Sequence, residues 1–210
     1  MAPLILRVDA ETPDEALIAR AASILQRGGI VAYPTDTLYG LAVDPASDEA
    51  VERLYQAKSR DAALAVPLIA GNAEQALRAG SFSDGEARLA RAFWPGPLSI
   101  VVPASPLLST RLVAADATVA IRVPDHAVAR ALPLLFGGAV TATSANVSGA
   151  APADNADTVL TTLGSRIDAI VDGGATRGGL PSTIVQVRNG VPRLLRAGAI
   201  PFDRVLEFGL

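Results

Sequence analysis

Cysteine is absent from the chain, and histidine occurs only once, at His126. The absence of cysteine excludes disulfide bonds, thiolate metal sites and thiol catalysis, and it is typical of a cytoplasmic protein. A single imidazole also excludes a metal site built from several histidines. A Ser-His-Asp triad would require His126 itself, and no serine lies in a G-x-S-x-G motif. We interpret His126, which lies near a predicted helix start, as a structural residue.

Long hydrophobic runs are also missing, although 50% of the residues are hydrophobic. No stretch reaches the roughly eighteen apolar residues that a membrane-spanning helix needs. The N-terminus lacks the basic region, apolar segment and cleavage site of a signal peptide. We therefore expect a soluble, cytoplasmic protein with a substantial core and no contact with a membrane.

The chain also lacks an excess of positive charge. The chain has 21 acidic and 18 basic residues, which gives a net charge of -3. Because a protein that mainly grips a nucleic-acid backbone carries a basic surface, any RNA contact is expected to be local and weak. Only one of the basic residues is a lysine, Lys58, and the rest are arginines.

Glycine and proline punctuate the whole chain, without internal repeats or a long linker, so one domain over residues 1–210 is expected. Thr12, followed by Pro13 at the first helical position, predicts a helix cap, and the apolar spacing that follows continues to Leu25. Among the other elements, strands are predicted over residues 4–8, 65–70 and 118–124, and helices over residues 48–58, 73–79, 84–93, 125–132 and 157–163.

Helices and strands alternate along the chain, but several neighbouring strands have connections too short for a crossover helix. Such strands must pair antiparallel. The pattern therefore predicts an α/β fold, in which an open, twisted sheet of mixed parallel and antiparallel strands is flanked by helices.

Four polar segments follow or interrupt these elements: "YPTDT", "AKSR", "TSANVSG" and "GGATRGGLPST". Each alone is also typical of an ordinary turn, a helix cap or a solvated helix end. None of them is a Walker A or Rossmann glycine motif. Together they offer hydroxyls, amides, glycine main chain and a few cations, a combination that suits a ligand rich in phosphate oxygens.

Seven motifs, taken in order, carry a resemblance to a known family: "GGIVAYPTDTLYGLAVDP", "AKSR", "FWPGPLSIVV", "TVAIRVPDH", "TSANVSG", "GGLPSTIV" and "LLRAG". The chain resembles the YrdC-like family of threonylcarbamoyl-AMP synthases from about Ile24 to Ala199. This resemblance implies a single YrdC-like domain with a deep concave pocket.

The resemblance also implies a reaction. L-threonine, bicarbonate or CO2, and ATP give L-threonylcarbamoyl-AMP and pyrophosphate, with Mg²⁺ as an expected cofactor whose site is unknown. The product passes to a tRNA threonylcarbamoyl transferase complex, which modifies adenosine 37 of tRNA. Such a chain serves tRNA modification without itself needing to hold tRNA.

The family's functional residues map onto matching positions of this sequence. The resemblance implies threonine binding by Thr35, Thr37, Arg122 and Ser182. It implies ATP binding by Lys58, Arg60, Thr118, Ser144, Asn146 and Arg196, with Lys58 and Arg60 as the catalytic cations.

The sequence departs from the family pattern in three places. Asp61 and a longer spacer follow the K-x-R pair, with Leu64 where a polar or basic side chain is common. Gly71 stands where two-domain relatives often have histidine. Asp154 lies where a Pro-x-Pro-Thr segment is usual, and an acid there suits a helix cap better than a phosphate site.

Two alternatives to the synthase remain open from the sequence. One is a double-stranded RNA-binding module of the same fold without synthase activity. The other is a different carbamoyl or acyl adenylation, since Thr35, Thr37 and Arg122 alone do not define a side-chain pocket. Asp36 is a further residue that could help to bind Mg²⁺.

Overall fold

The computed structural model describes residues 2–61 and 65–209, which form an α/β fold built on two sheets. The strands are β1 (Leu4–Arg7), β2 (Val31–Tyr33), β3 (Gly40–Ala42), β4 (Leu68–Ile69), β5 (Leu98–Pro103), β6 (Thr118–Arg122), β7 (Val140–Thr141), β8 (Thr143–Ser144), β9 (Ala169–Asp172), β10 (Thr183–Arg188) and β11 (Val191–Arg196). The α-helices are α1 (Glu15–Gln26), α2 (Asp48–Lys58), α3 (Ala73–Ala79), α4 (Asp84–Phe93), α5 (Ala127–Phe136), α6 (Ala156–Leu163) and α7 (Phe202–Gly209).

Both sheets mix parallel and antiparallel strands, as predicted. The first has the order β1-β9-β2-β3-β8, in which β9 is parallel to β1 and β2, and β3 is antiparallel to β2 and β8. The second has the order β11-β10-β5-β6-β4-β7, in which β10 is parallel to β5 and β4 is parallel to β6. Only Ala142 separates β7 from β8, so the chain passes directly from one sheet to the other there.

Two hydrophobic cores hold the helices against the sheets. The smaller core joins α1 and α5 to β1, β2 and β9 through residues such as Ile18, Leu25, Leu132 and Val171. The larger core lies under α2, α3, α4, α6 and α7 and contains Leu54, Leu89, Ile121 and Val159. The apolar spacing of the helices thus faces inward on both sides, which leaves the strand ends and connecting loops to form the site.

Three of the predicted helices, α2, α3 and α4, have the predicted bounds. The predicted cap of α1 is wrong, because Asp14 rather than Thr12 accepts the first amides of the helix, from Ala16 and Leu17. The side chain and amide of Thr12 bind the Asp9 carboxylate instead. Two acceptors thus lie close together in sequence, and the one nearer the helix forms the cap.

Helix α5 and strand β4 differ most from their predicted bounds, whereas β1, β6 and α6 differ by one or two residues. Helix α5 begins at Ala127 and continues through Pro133 to Phe136, because Leu132 and Pro133 are buried and Gly137, at φ 95°, forms the left-handed end of the helix. Strand β4 consists only of Leu68 and Ile69, since the main chain pairs with β6 and β7 over that short stretch. Within residues 2–61 and 65–209, no helix is long and apolar enough to cross a membrane.

Candidate active site

A cavity of about 320 Å³ opens where strand ends of both sheets meet. Its walls combine the β2–β3 turn, the end of α2, β4, β6, the β7–β8 segment and the start of β10. Its residues are Thr35, Thr37, Leu38, Tyr39, Gly40, Arg60, Pro67, Leu68, Ile69, Ser99, Arg122, Ala142, Thr143, Ser144, Pro152, Pro181, Ser182 and Arg196. Seven of the ten site residues predicted from the sequence therefore lie on one cavity wall.

The β2–β3 turn is fixed by the hydroxyl of Thr35. This hydroxyl donates to the Leu38 carbonyl oxygen at 2.7 Å and accepts from the amides of Thr37 and Leu38 at 3.1 and 3.3 Å. The Thr37 hydroxyl lies 3.1 Å from it. Because the single proton of Thr35 goes to Leu38, Thr37 is the donor between the two hydroxyls, and its oxygen lone pairs stay available to a ligand.

Arg122 lies at the end of β6, beside this turn. Its guanidinium Nη1 donates to Asp36 Oδ1 at 2.6 Å, and both side chains are buried, with 7% and 8% of their surface exposed. Asp36 is its one hydrogen-bond partner within the described part of the chain. The other N–H groups of Arg122 are therefore available for a planar anion such as a carboxylate.

Ser182 and Arg196 form the neighbouring part of the wall. Arg196 Nη2 donates to the carbonyl oxygen of Ser182 at 2.7 Å and to its hydroxyl at 3.1 Å, and the Ser99 hydroxyl lies 2.9 Å from the Ser182 hydroxyl. Burial, followed by the positive charge of Arg122, lowers the pKa of Arg196. A Cβ at Gly198 would lie 2.3 Å from the Pro181 carbonyl oxygen, so only glycine allows this close approach of the two segments.

Lys58, the last residue of α2, is buried behind the wall, with 1% of its surface exposed. Its ammonium donates to the carbonyl oxygen of Ser144, to that of Asn146 at 2.8 Å and to Asn146 Oδ1 at 3.2 Å. Burial, followed by the positive charge of Arg60, lowers its pKa to about 8. The three donors of the ammonium thus meet three protein acceptors, where the sequence predicted a direct grip on phosphate.

Asn146 lies behind the same wall, while Ser144 lies on it. The Ser144 hydroxyl donates to Asn146 Oδ1 at 2.6 Å, and Asn146 Nδ2 donates to the Ala150 carbonyl oxygen at 2.7 Å. The Ser148 amide in turn donates to the Lys58 carbonyl oxygen at 2.8 Å. The end of α2 therefore holds the Ser144–Ser148 segment at both of its ends.

Arg60 reaches the cavity from the residues after α2. Its Nη2 donates to the Ala65 carbonyl oxygen at 3.0 Å, whereas its Nε is buried without a hydrogen-bond partner in residues 2–61 and 65–209. A buried donor without an acceptor is costly, so this nitrogen is a candidate contact for an anionic ligand oxygen. Leu64, which departs from the family pattern, lies outside the described residues.

Thr118, predicted to bind ATP, is not on the cavity wall. It begins β6, whereas Arg122 ends it, and four residues of strand separate their positions by about 13 Å. The Thr118 hydroxyl donates to Asp116 Oδ1 at 2.6 Å, and the side chain lines a separate depression with Ser81 and Gln186. The direction of β6 thus carries Thr118 away from this cavity.

The structure explains Gly71 and shows where Asp154 lies. A Cβ at Gly71 would lie 2.5 Å from Leu134 Cγ and 2.6 Å from the Arg130 carbonyl oxygen, so α5 leaves no room for histidine there. The expectation that Asp154 caps a helix is wrong, because Asn155 caps α6. The Asp154 carbonyl oxygen instead accepts from the amide and hydroxyl of Thr176, which fixes the glycine-rich loop.

The cavity does not offer the ligands that a protein-bound magnesium ion needs. No Asp or Glu lines it, and the described residues contain no group of three or more His, Cys, Asp or Glu side chains that could hold a metal ion. Asp36, considered from the sequence as a magnesium ligand, is paired with Arg122. The donor set of the cavity therefore does not fit a protein-held Mg²⁺.

Two residues of the site were missed from the sequence. Ser99, in β5, binds the Ser182 hydroxyl, and the signal for it was a lone serine within an apolar strand. Tyr39 donates from its hydroxyl to the Gly174 carbonyl oxygen at 2.7 Å and so joins β3 to the glycine-rich loop. Neither contact is visible in the local pattern, because 83 and 135 residues separate the partners.

Comparison with known proteins identifies related chains. Residues 23–198 match the model of the Sua5/YciO/YrdC family, described as "Telomere recombination". A threonylcarbamoyl-AMP synthase of Bacillus subtilis is 38% identical over 200 residues, which cover 94% of this chain and 58% of that protein. One of Thiobacillus denitrificans is 41% identical over 175 residues, which cover 82% of this chain and 91% of that protein.

A solved structure of a relative has the same fold. The crystal structure of Pyrococcus abyssi Sua5 complexed with L-threonine superposes with a TM-score of 0.91 at 34% identity, and the match covers 98% of this chain and 60% of that one. This chain thus spans about three fifths of the length of the Bacillus and Pyrococcus relatives.

Proposed function

The chain belongs to the Sua5/YciO/YrdC family, and from this we propose that it is an L-threonylcarbamoyladenylate synthase. It forms L-threonylcarbamoyl-AMP and pyrophosphate from L-threonine, bicarbonate or CO2, and ATP. The observation that carries the proposal is the single cavity that holds Thr35, Arg122 and Ser182 beside Arg60, Ser144 and Arg196. The fold match to a relative complexed with L-threonine supports it.

L-threonine is assigned to the end of the cavity formed by Thr35, Thr37, Arg122 and Ser182. The free N–H groups of Arg122 bind the amino-acid carboxylate, and the lone pairs of Thr37 accept from donor groups of the substrate. The hydroxyl of Ser182 is oriented by Ser99 and Arg196, so its position is set before threonine arrives.

ATP is assigned to Arg60, Ser144 and Arg196, and Arg196, which also contacts Ser182, lies where the two substrates meet. The orphaned Nε of Arg60 gains an acceptor when a phosphate oxygen binds there. Ser144 lies on the wall in a segment that Lys58 and Asn146 hold from behind, and its hydroxyl must turn from Asn146 Oδ1 to donate to a phosphate oxygen. We assign to Lys58 and Asn146 the shaping of the phosphate site, with Lys58 adding positive charge a few ångströms behind its surface.

The reaction runs without a histidine or carboxylate base. The threonine amine, as the free base, takes up CO2 and releases one N–H proton to water, and the resulting carbamate is an anionic oxygen nucleophile. That oxygen attacks the α-phosphorus of ATP, the bond to the bridging oxygen breaks, and pyrophosphate leaves with the bonding electrons. The protein's contribution is to place the two substrates and to stabilise charge on the leaving group, chiefly through Arg60 and Lys58.

Magnesium takes no assigned step in this mechanism, because the cavity has no carboxylate ligands for it. If the reaction depends on Mg²⁺, the phosphates of ATP are the ligands that bring it.

The direct test is pyrophosphate release by the purified protein with ATP. Release that requires both L-threonine and bicarbonate supports the synthase. Release that ignores both would count against it, and equal release with serine and other amino acids would favour the alternative of a different carbamoyl or acyl adenylation. ATP-independent RNA binding that weakens steeply with salt would favour the double-stranded RNA-binding module.

The wider role follows from the product. A threonylcarbamoyl adenylate is an activated acyl donor, so we propose that it is handed to a tRNA threonylcarbamoyl transferase complex in the cytoplasm. Direct RNA contact by this chain is not required for that role.

A further inference from the structure

Three arginines line the cavity, and they differ in whether a carboxylate neutralises their charge. Arg60 donates to the neutral carbonyl oxygen of Ala65, and Arg196 donates to the neutral carbonyl and hydroxyl oxygens of Ser182. Arg122 is paired with the carboxylate of Asp36 at 2.6 Å. Within residues 2–61 and 65–209, it is the one cavity arginine whose positive charge is cancelled by a salt bridge.

Because Arg122 and Asp36 are both buried, Asp36 cancels the positive charge of Arg122 effectively. Both partners are more than nine-tenths buried, so water screens their interaction weakly. His126 lies near Asp36, but burial lowers the pKa of His126, which favours the neutral imidazole. The second oxygen of Asp36 accepts only a long hydrogen bond, 3.4 Å, from the Asp125 amide.

Asp36 is not needed to hold the turn in which it lies. The hydroxyl of Thr35 already makes three hydrogen bonds to the main chain of Thr37 and Leu38. The Asp36 side chain points out of that network to Arg122. A role in setting the charge at this end of the cavity accounts for its burial better than a role in the turn.

The two substrates place different demands on an arginine. A phosphate chain carries several negative charges and is attracted by uncancelled positive charge. A zwitterionic amino acid has no net charge, and its carboxylate needs two well-placed N–H donors more than it needs net charge. An Arg–Asp pair supplies donors without net charge, whereas Arg60 and Arg196 supply both.

We propose that Asp36 is a specificity-determining residue, which neutralises Arg122 and so reserves that end of the cavity for an amino-acid carboxylate while phosphates are directed to Arg60 and Arg196. This inference rests on the proposed function for the identity of the two substrates. Asp36 itself touches neither substrate and acts through Arg122.

The test uses Asp36→Asn, which keeps an oxygen to accept from Arg122 but removes the charge. Binding of L-threonine is measured by calorimetry with and without inorganic phosphate. In the unaltered protein, phosphate leaves threonine binding unchanged. In D36N, phosphate becomes a competitor of threonine, so added phosphate raises the apparent dissociation constant of threonine by on the order of tenfold.

The matched control is Asp168→Asn. Asp168 also pairs with an arginine, Arg53, at 3.0 Å, but that pair is half exposed and Arg53 lines a different depression. D168N changes the net charge by the same amount and should leave phosphate without effect on threonine. The double variant Asp36→Asn with Arg122→Gln should lose the phosphate site that D36N gains.

The inference is overturned if folded D36N, checked by its melting transition, shows no more phosphate competition than D168N. A purely structural role of Asp36 would weaken threonine binding without creating a phosphate site. If the unaltered protein does not bind threonine, the proposed function fails, but direct phosphate titration of D36N against the double variant still tests the charge cancellation by Asp36.

A second measurement keeps the inference testable if D36N does not fold. The unaltered protein is titrated with the analogue of threonine in which a phosphonate replaces the carboxylate. A cavity end without net charge should bind this analogue at least about tenfold more weakly than threonine. Equal or tighter binding of the phosphonate would contradict the assignment.

Discussion

The ammonium of Lys58 donates to both the main-chain carbonyl oxygen of Asn146, at 2.8 Å, and its side-chain Oδ1, at 3.2 Å. The lysine at the end of α2 is thereby joined to the segment that carries Ser144 on the cavity wall. In the proposed assignment, Lys58 adds charge to the phosphate site without lying on the cavity surface.

ATP binding should weaken at alkaline pH because of Lys58. The pKa of Lys58 is about 8, so the side chain is charged below that pH and neutral above it. Loss of the charge as pH rises removes attraction for phosphate, and the ATP dissociation constant should increase by about five- to tenfold between pH 7 and pH 9. Calorimetric titration at a series of pH values measures this.

Lys58→Met should bind ATP weakly at all of these pH values and lose the alkaline decline. Arg166→Gln is the control, because Arg166 is another cation at the end of α2 and donates to the Ala57 carbonyl oxygen. Arg166→Gln should retain the decline in ATP affinity at alkaline pH. A decline that persists in K58M would show that another group causes it.

Arg60→Gln should slow the reaction by roughly a hundredfold, or about 3 kcal/mol, since a preorganised charged donor at the leaving group is lost. The rate of pyrophosphate release at saturating substrates measures the effect. Arg53→Gln, which removes an arginine from outside the cavity, should leave the rate within about twofold. A similar loss in both variants would point to a general effect of charge.

Ser182→Ala should weaken threonine binding about three- to tenfold and leave ATP binding nearly unchanged. The variant removes one hydroxyl from the threonine end, whereas Arg196 keeps its hydrogen bond to the Ser182 carbonyl oxygen. Separate titrations with L-threonine and ATP give the two affinities. Ser165→Ala, at an exposed position, should alter neither. Equal weakening for both ligands would contradict the assignment of Ser182 to the threonine end.

Gly71→Ala should destabilise the protein, because its Cβ would lie 2.5 Å from Leu134 Cγ and 2.6 Å from the Arg130 carbonyl oxygen. Such overpacking lowers the free energy of unfolding by about 1–3 kcal/mol. Denaturant unfolding measures the loss. Gly138→Ala is matched to it, since the nearest atom to a Cβ there is 4.0 Å away, and it should have little effect. Equal stability of the two variants would show that α5 can move aside.

Much of the fold was predictable because local signals agreed with the tertiary structure. Helices α2, α3 and α4 have capping residues and inward apolar spacing that belong to the same segment. Helix α5 was misplaced because its length depends on the burial of Pro133 against the rest of the fold. The division into two sheets was also not predicted, since it depends on the turn of the chain at Ala142.

The wall residues of the site could be predicted from motifs, whereas their partners could not. Thr35, Arg60, Ser144 and Arg196 lie on the wall. The burial of Lys58, however, depends on acceptors 86 and 88 residues away. The pairing of Asp36 with Arg122 spans 86 residues, and Thr118 fails to reach the cavity because of the direction of its strand.

We propose that one cavity binds both substrates, with L-threonine at Arg122 and the phosphates of ATP at Arg60 and Arg196. A crystal structure of the protein with L-threonine and a non-hydrolysable ATP analogue tests it most directly. The account predicts the threonine carboxylate within hydrogen-bonding distance of Arg122 and phosphate oxygens in contact with Arg60 and Arg196. Phosphates bound to Arg122, or the two ligands bound in separate depressions, would contradict it.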